Sequence, residues 1–459
     1  MERQDLIARY RATRALSVAL CSPLASEDYR VQSMPDVSPP WWNLGHTTWF
    51  FAKNILEPFG RYGAGDARFE YALNSYYESL GPRLARDHRG LVTRPTTAEI
   101  YRFRASVDER FGALVAEAGE ADYPRLQFLA LTGIQHEQQH QELLVTEIKH
   151  ILGSNLPELR EPYLPAAGGG TPPALAEREP DPAGRVAPSG PLPARPVAFA
   201  GGLFEFGNLE GGWCWDNEMP VHRAYLEPFV LLDRLVTNGE YLEFIEQGGY
   251  ADPLLWLANG WARVQEAGWS APLYWEREGG RWQLWTLGGR RALDVDEPVC
   301  HVSFYEADAY ARWQARRGGA SAGARLPTER EWEHAARVAG FPGPAPNFLE
   351  SGSLHPRPFA RPGAPAAQGP PAAAEDMGMA QLGGDVWEWT SSHYEPYPGY
   401  QPFDGNLMEY NGKFMDNQRV LRGGSCATPA AHIRPSYRNF WPADTRFQFT
   451  GIRLALPMA

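Results

Sequence analysis

Apolar positions in the first third of the chain recur at helical spacing. Leu6–Leu20, Trp41–Leu56, Ile100–Ala116 and Leu126–Ile151 each carry apolar residues three and four apart, the pattern of a helix with one buried stripe. Thr96-Thr97-Ala98-Glu99 has the form of a capping box at the start of the third segment. Four such helices predict a bundle, whose facing helices can point side chains into a shared interior site.

The pattern then changes. From 153 to 196 the chain is rich in Pro, Gly and Ala (AAGGGTPPALAEREPDPAGRVAPSGPLPARP), a composition that reads as a linker. Beyond it come short strand-like runs (PVAFAGGLFEFGN, HRAYLEPFVLL, QRVLRGGSC, TGIRLALP) and two short helical stretches, Tyr305–Arg317 and Glu329–Val338. The expected organisation is therefore multidomain. It comprises an all-α domain over 1–152, a linker over 153–196 and an α+β domain over 197–459, with a Pro/Ala-rich insert at 341–374 read as a surface loop.

Composition narrows the function classes. The 459 residues carry a formal net charge of −12, which argues against a nucleic-acid partner, since phosphate neutralisation needs a basic surface. The four cysteines (Cys21, Cys214, Cys300, Cys426) are dispersed, without a CxxC pair, as in a reducing compartment. The opening MERQDLIARYRATRALSVAL is charged and amphipathic, unlike a signal peptide, and no apolar run is long enough to span a bilayer. The expectation is a cytoplasmic protein acting on small molecules, with no membrane and no nucleic-acid partner. The chain assigns no oligomeric state.

The strongest chemical signal is Gln135-His136-Glu137-Gln138-Gln139-His140-Gln141-Glu142. Histidines at i and i+4 share a helix face and can reach one ion. Taken alone, the pair also fits two solvated histidines on a Gln/Glu-rich helix. A third ligand is required, and His46, in Trp41-Trp42-Asn43-Leu44-Gly45-His46 on a different predicted helix, is the best placed; a lone histidine there also fits a hydrogen-bonded core residue. Three neutral imidazoles suit iron, zinc or copper. The same residues match HExxH, in which Glu137 would be the general base of a zinc hydrolase.

Motifs of the second half are more specific. Leu326-Pro327-Thr328-Glu329-Arg330-Glu331-Trp332-Glu333, Gly384-Asp385-Val386-Trp387-Glu388-Trp389-Thr390, Leu421-Arg422-Gly423-Gly424-Ser425 and Gly451-Ile452-Arg453-Leu454-Ala455 occur in that order. Together they closely resemble the formylglycine-generating-enzyme/sulfatase-modifying-factor fold, a C-type-lectin-like α+β domain. Piece by piece, Trp-Glu-Trp reads as core packing and the two glycines as turn formers. The copper-binding cysteine pair of true formylglycine-generating enzymes has no counterpart, so that activity is not expected.

A DinB-like four-helix bundle with HxxxH, fused to such a domain, resembles the sulfoxide synthases of ergothioneine biosynthesis (EgtB-like). Asn74-Ser75-Tyr76-Tyr77, Arg86-Asp87-His88-Arg89-Gly90 and Tyr437-Arg438-Asn439-Phe440 add to the match. The resemblance implies an Fe(II)- and O2-dependent oxidoreductase joining a thiol sulfur to the imidazole of hercynine (Nα-trimethylhistidine) as a sulfoxide. It implies His46, His136 and His140 as iron ligands. Gln139 is expected at the hercynine imidazole, and Asn439, with Phe440, at its carboxylate or ammonium end. Tyr76 and Tyr77 become candidates for a catalytic phenol, with Tyr394, Tyr397 and Tyr400 as competitors. Arg86 and Arg89 could clamp a substrate carboxylate, or simply form surface ion pairs. Trp441 stands where relatives using γ-glutamylcysteine are expected to carry an aspartate, which favours cysteine as the donor. The alternatives are a selenoneine synthase of the same architecture and, from the HExxH match, the zinc hydrolase.

Overall fold

The computed structural model describes residues 1–63, 65–164, 193–359 and 378–458. These fall into two compact units. The first contains the chain up to residue 164 together with 287–289 and 402–412; the second contains the remainder.

The first unit is helical. Its elements are α1 (Arg3–Cys21), α2 (Pro40–Phe51), the short α3 (Ala67–Leu73), α4 (Thr97–Glu117) and α5 (Tyr123–Gly153). The four long helices coincide with the four periodic segments, because burying one apolar stripe per helix is what closes a bundle. Thr96 and Glu99 form the capping box of α4. Helix α5 packs on α1 and α2, and α2 packs on α4. The apolar segment expected to run to Leu56 ends its regular turns at Phe51 and continues as one π-helical turn, Ala52–Leu56. Gly133 of α5 lies where a Cβ would come within 2.7 Å of both Phe51 and Ile55, so the absent side chain sets how closely α5 approaches α2.

The second unit holds β1 (Pro196–Phe199), β2 (Gly202–Phe206), β3 (His222–Leu226), β4 (Phe229–Leu232), α6 (Asn238–Glu246), α7 (Ala258–Ala267), β5 (Trp275–Glu278), β6 (Arg281–Thr286), β7 (Gly289–Ala292), α8 (Phe304–Arg317), α9 (Glu329–Val338), β8 (Trp387–His393), β9 (Gln418–Arg422), β10 (Asn439–Pro442), β11 (Thr450–Gly451) and β12 (Ala455–Pro457). Its sheets are β1-β4-β12, β10-β9-β8-β11, the pair β2-β3 and β5-β6-β7. The motif residues turn out to be an internal frame. Arg422 bonds Glu329 and Glu333, Arg438 bonds Glu329, and Arg453 bonds Glu388, all buried. Trp332, Trp387 and Trp389 are core residues. Gly423 and Gly424 have φ of 99° and 82°, the left-handed region open to glycine.

Three boundary expectations meet the described residues only in part. The linker expected over 153–196 lies outside the described residues at 165–192. Its start is built, with Tyr163 buried and donating its hydroxyl to the Leu20 carbonyl. Within the second domain expected as 197–459, residues 287–289 and 402–412 cluster with the helices. The insert read as a surface loop lies outside the described residues from 360 to 374, but its earlier part is packed. Phe348, Leu349 and Leu354 are buried, and buried Asn347 donates to Asp385. Apolar side chains inside a Pro/Gly-rich stretch explain the difference, because composition averages them away.

Candidate metal centre

Residues one position apart on α5 point about 100° apart, so the QHEQQHQE stretch divides its work between two faces. Glu137 and Gln141 face α1. Glu137 accepts from Ser17 Oγ at 2.7 Å and Arg14 at 2.9 Å, and pairs with Arg104 as well. Gln141 donates to the Thr13 carbonyl and to Ser17. Burial opposes the Glu137 charge, but the two guanidiniums prevail and hold its carboxyl at about 2. A carboxylate committed to two arginines and a serine has no basicity left to activate water, which removes the zinc-hydrolase reading of HExxH.

His136 and His140 lie on the other face and meet His46 from α2. One nitrogen from each ring can be chosen so that all three atoms lie within 4.8 Å of one another. The three residues are 2%, 9% and 0% exposed, which excludes solvated surface histidines. Desolvation, reinforced by the neighbouring rings, pushes His46 and His136 well below the usual imidazole range; desolvation and the Arg89 charge bring His140 to about 3. All three are therefore neutral, the form that binds a metal.

Their orientations are set by named contacts. His46 Nδ1 is 2.7 Å from the Leu73 carbonyl, so it carries the proton and leaves the buried Nε2 without a partner. His140 Nδ1 is 2.8 Å from Asn43 Oδ1, which likewise leaves Nε2 as the lone pair. His136 stacks on Phe50 with centroids 4.1 Å apart, and its buried Nδ1 makes no hydrogen bond. His46 stacks on Trp42 at 4.5 Å. Converging neutral imidazoles with buried, unpartnered nitrogens fit a divalent transition metal.

Around the triad sit tyrosines, one of which no sequence motif reveals. Tyr77, an expected residue, is fully buried and its hydroxyl makes no hydrogen bond of good geometry; burial raises it well above the usual phenol range. It stacks on Tyr76 and lies 5.8 Å from Trp49. Asn74 holds the turn, accepting from the Tyr77 amide and donating to the Tyr77 carbonyl. Tyr410, from the 402–412 segment, is the unexpected one. It lies 5.8 Å from the His136 ring and donates its hydroxyl to Gln139 Oε1. Glu409 accepts from the amides of Glu78 and Ser79 and from the Ser79 hydroxyl. Only the chain path brings Tyr410 here.

The other expected residues are distributed unevenly. Arg89 is buried, donates to Ser38 Oγ at 2.9 Å, and lies 3.3 Å above the centre of the Trp42 ring. Arg86 donates to the Asp36 carbonyl. Among the described residues neither arginine forms a carboxylate ion pair, contrary to the surface-pairing alternative. Asn439, Phe440 and Trp441 belong to the second unit, in β10. Asn439 accepts from the Phe440 amide, Phe440 stacks on Tyr394 at 4.0 Å, and Trp441 packs edge-on to Phe447. Tyr394, Tyr397 and Tyr400 also lie in the second unit, bonded to Asn217, Arg422 and Asp216 respectively.

Among the described residues no helix is long and apolar enough to cross a membrane. Residues 187–458 match the sulfatase-modifying factor enzyme 1-like domain, and residues 9–144 match the DinB superfamily. A hercynine oxygenase of Mycolicibacterium smegmatis is 38% identical over 333 residues, covering 70% of this chain and 70% of the relative. A hercynine oxygenase of Mycolicibacterium thermoresistibile is 33% identical over 472 residues, covering 99% and 94%. The formylglycine-generating enzyme of Streptomyces coelicolor is 32% identical over 296 residues, covering 55% of this chain and 86% of its own. With both domains matched and one relative aligned almost end to end, the chain belongs to the hercynine oxygenase family.

Proposed function

We propose that this protein is an O2-dependent non-haem iron sulfoxide synthase of ergothioneine biosynthesis, an oxidoreductase forming a C–S bond between hercynine and the thiol of cysteine. The observation that carries the reading is the buried triad His46, His136 and His140, with its ligand atoms within 4.8 Å of one another. In the balanced reaction the imidazole carbon and the thiol each lose one hydrogen. One oxygen atom of O2 ends on sulfur and the other leaves as water. His46, His136 and His140 would hold Fe(II), which would supply the one-electron chemistry that O2 requires.

The chain's own residues select and orient. Gln139, its carbonyl engaged by Tyr410, offers its amide to the hercynine imidazole. Tyr77, with Tyr76 stacked on it, is the phenol that exchanges a proton or hydrogen atom with the reacting centre, since its hydroxyl is buried and makes no hydrogen bond of good geometry. Arg86 and Arg89 bind the carboxylate of the thiol substrate. On the resemblance alone, Asn439 and Phe440 contact the charged end of hercynine, and Trp441, replacing a carboxylate, favours cysteine over γ-glutamylcysteine. A cytoplasmic location accompanies these small-molecule substrates.

The test is to load the protein with Fe(II) without oxygen, then supply O2 and hercynine with cysteine, γ-glutamylcysteine or a selenosugar, and identify products by mass spectrometry. A hercynine–cysteine sulfoxide is the expected product. Turnover with the selenosugar alone would replace the reading with selenoneine synthesis, and no hercynine adduct in any arm would end it.

A further inference from the structure

One buried carboxylate near the triad has no part in the chemistry above. Glu147 lies on α5 two turns beyond His140 and is fully buried. Its Oε1 accepts from the Ser38 amide at 2.8 Å, and its Oε2 accepts from Asn43 Nδ2 at 2.6 Å. Asn43 Oδ1 in turn faces His140 Nδ1 at 2.8 Å.

This chain of bonds has one polarity. Burial raises the Glu147 carboxyl to about 7, while the Ser38 amide and Asn43 favour its charged form. Ionised, the group only accepts, so the Asn43 group facing it is the NH2 and the group left facing His140 is the carbonyl. The carbonyl then requires a proton on His140 Nδ1, which leaves Nε2 with its lone pair. An amide turned the other way would present its NH2 to His140 and its oxygen to an anion.

We propose that Glu147 is a positioning residue of the metal centre, acting through Asn43 to fix the tautomer and direction of His140 and to raise its strength as a ligand. The inference rests on the triad being a metal centre and adds to it the carboxylate that organises one ligand. The arrangement lengthens by one amide the carboxylate–histidine pairs that brace metal ligands generally. It also continues into the neighbouring ligand. Ser38, whose amide Glu147 holds, receives Arg89 on its hydroxyl, and Arg89 covers the Trp42 ring that stacks on His46.

The experiment is a Co(II) titration of metal-free protein followed by visible absorption, with Fe(II) affinity from chelator competition, for the wild type, Glu147→Gln, Asn43→Ala and the double variant. Glu147→Gln is expected to weaken metal binding about 10- to 100-fold and to shift the Co(II) bands. The double variant should bind no more weakly than Asn43→Ala, because the carboxylate acts through the amide. Thermal unfolding of the metal-free forms separates this from a general loss of stability. If Glu147→Gln fails to fold, the tautomer is read on wild-type protein by 15N NMR of labelled histidine, with protonated Nδ1 on His140 expected. Unchanged affinity and bands, additive losses, or a proton on Nε2 overturn the inference while leaving the metal centre intact. A wild type that binds no metal overturns the metal centre itself.

Discussion

The hydroxyl of Tyr410 donates to the side-chain carbonyl of Gln139, the residue immediately before His140 and 271 positions away in the chain. That bond engages the amide oxygen and sets the orientation of the Gln139 amide, with the NH2 as its donor end. Under the proposed function, that donor end would meet an acceptor such as the unprotonated nitrogen of an imidazole.

Tyr410→Phe should therefore raise the KM for hercynine with less effect on kcat. Losing one buried hydrogen bond costs about 1 kcal/mol, or roughly a fivefold change. Steady-state kinetics at saturating cysteine measure it, and a fall in kcat with unchanged KM would place Tyr410 in the chemistry instead.

Tyr77→Phe should act differently, since its buried hydroxyl makes no hydrogen bond of good geometry in the fold. The expected outcome is a product ratio shifted from sulfoxide towards cysteine sulfinate, read by mass spectrometry, with the unfolding temperature nearly unchanged. An unaltered ratio would remove Tyr77 from the phenol's role.

His46→Ala should abolish stoichiometric metal binding, weakening it by at least about 100-fold given that even supporting residues are worth 10- to 100-fold. Metal analysis after dialysis reports this. The buried site left behind should keep the helical circular dichroism.

Glu137→Gln tests the HExxH reading through stability. Leaving buried Arg104 without its carboxylate, and Arg14 with Asp108 alone, should cost about 3–5 kcal/mol. The pH dependence has a definite sign. The folded carboxyl lies at about 2, below its ordinary 4.5, so its stabilisation is fully present above about pH 4.5 and is lost as pH falls towards 2. That loss is on the order of 3 kcal/mol. The variant should show a flatter acid limb in chemical denaturation, and metal bound per folded molecule should match the wild type.

Gly133→Ala should destabilise the helical unit by about 1–3 kcal/mol, because the added methyl meets Phe51 and Ile55. A Tm unchanged within error would mean that α5 and α2 can separate freely.

Much of this architecture is legible in the amino-acid sequence. Helical periodicity locates the bundle, since a buried stripe leaves its mark every three or four residues, and the Glu329–Val338 stretch coincides with α9 residue for residue. His136, His140 and His46 emerge from spacing and resemblance. Less legible are features that depend on long-range chain path. Glu137 reads as a base in HExxH, and only its Arg14 and Arg104 partners show otherwise. Asn43 sits inside a recognised motif, yet its bond to His140 spans 97 positions. Tyr410 follows an unremarkable GNLME stretch with no periodicity to mark it. Strands β5, β6 and β7 escape a pattern-based reading because their polar and charged residues carry no clean alternation.

The clustering of residues 402–412 with the helices has a practical meaning for anyone wishing to divide this chain. A fragment ending at the Pro-rich stretch would keep all three imidazoles, but it would lose Tyr410 and Glu409, and with them the partner of Gln139 and the acceptor for the Glu78–Ser79 turn. The two domain types are thus interleaved in sequence, so transplanting the bundle onto a foreign partner would deliver an incomplete site. A change in this short loop, far along the chain, would alter the surroundings of Gln139 and of the Glu78–Ser79 turn without touching a histidine.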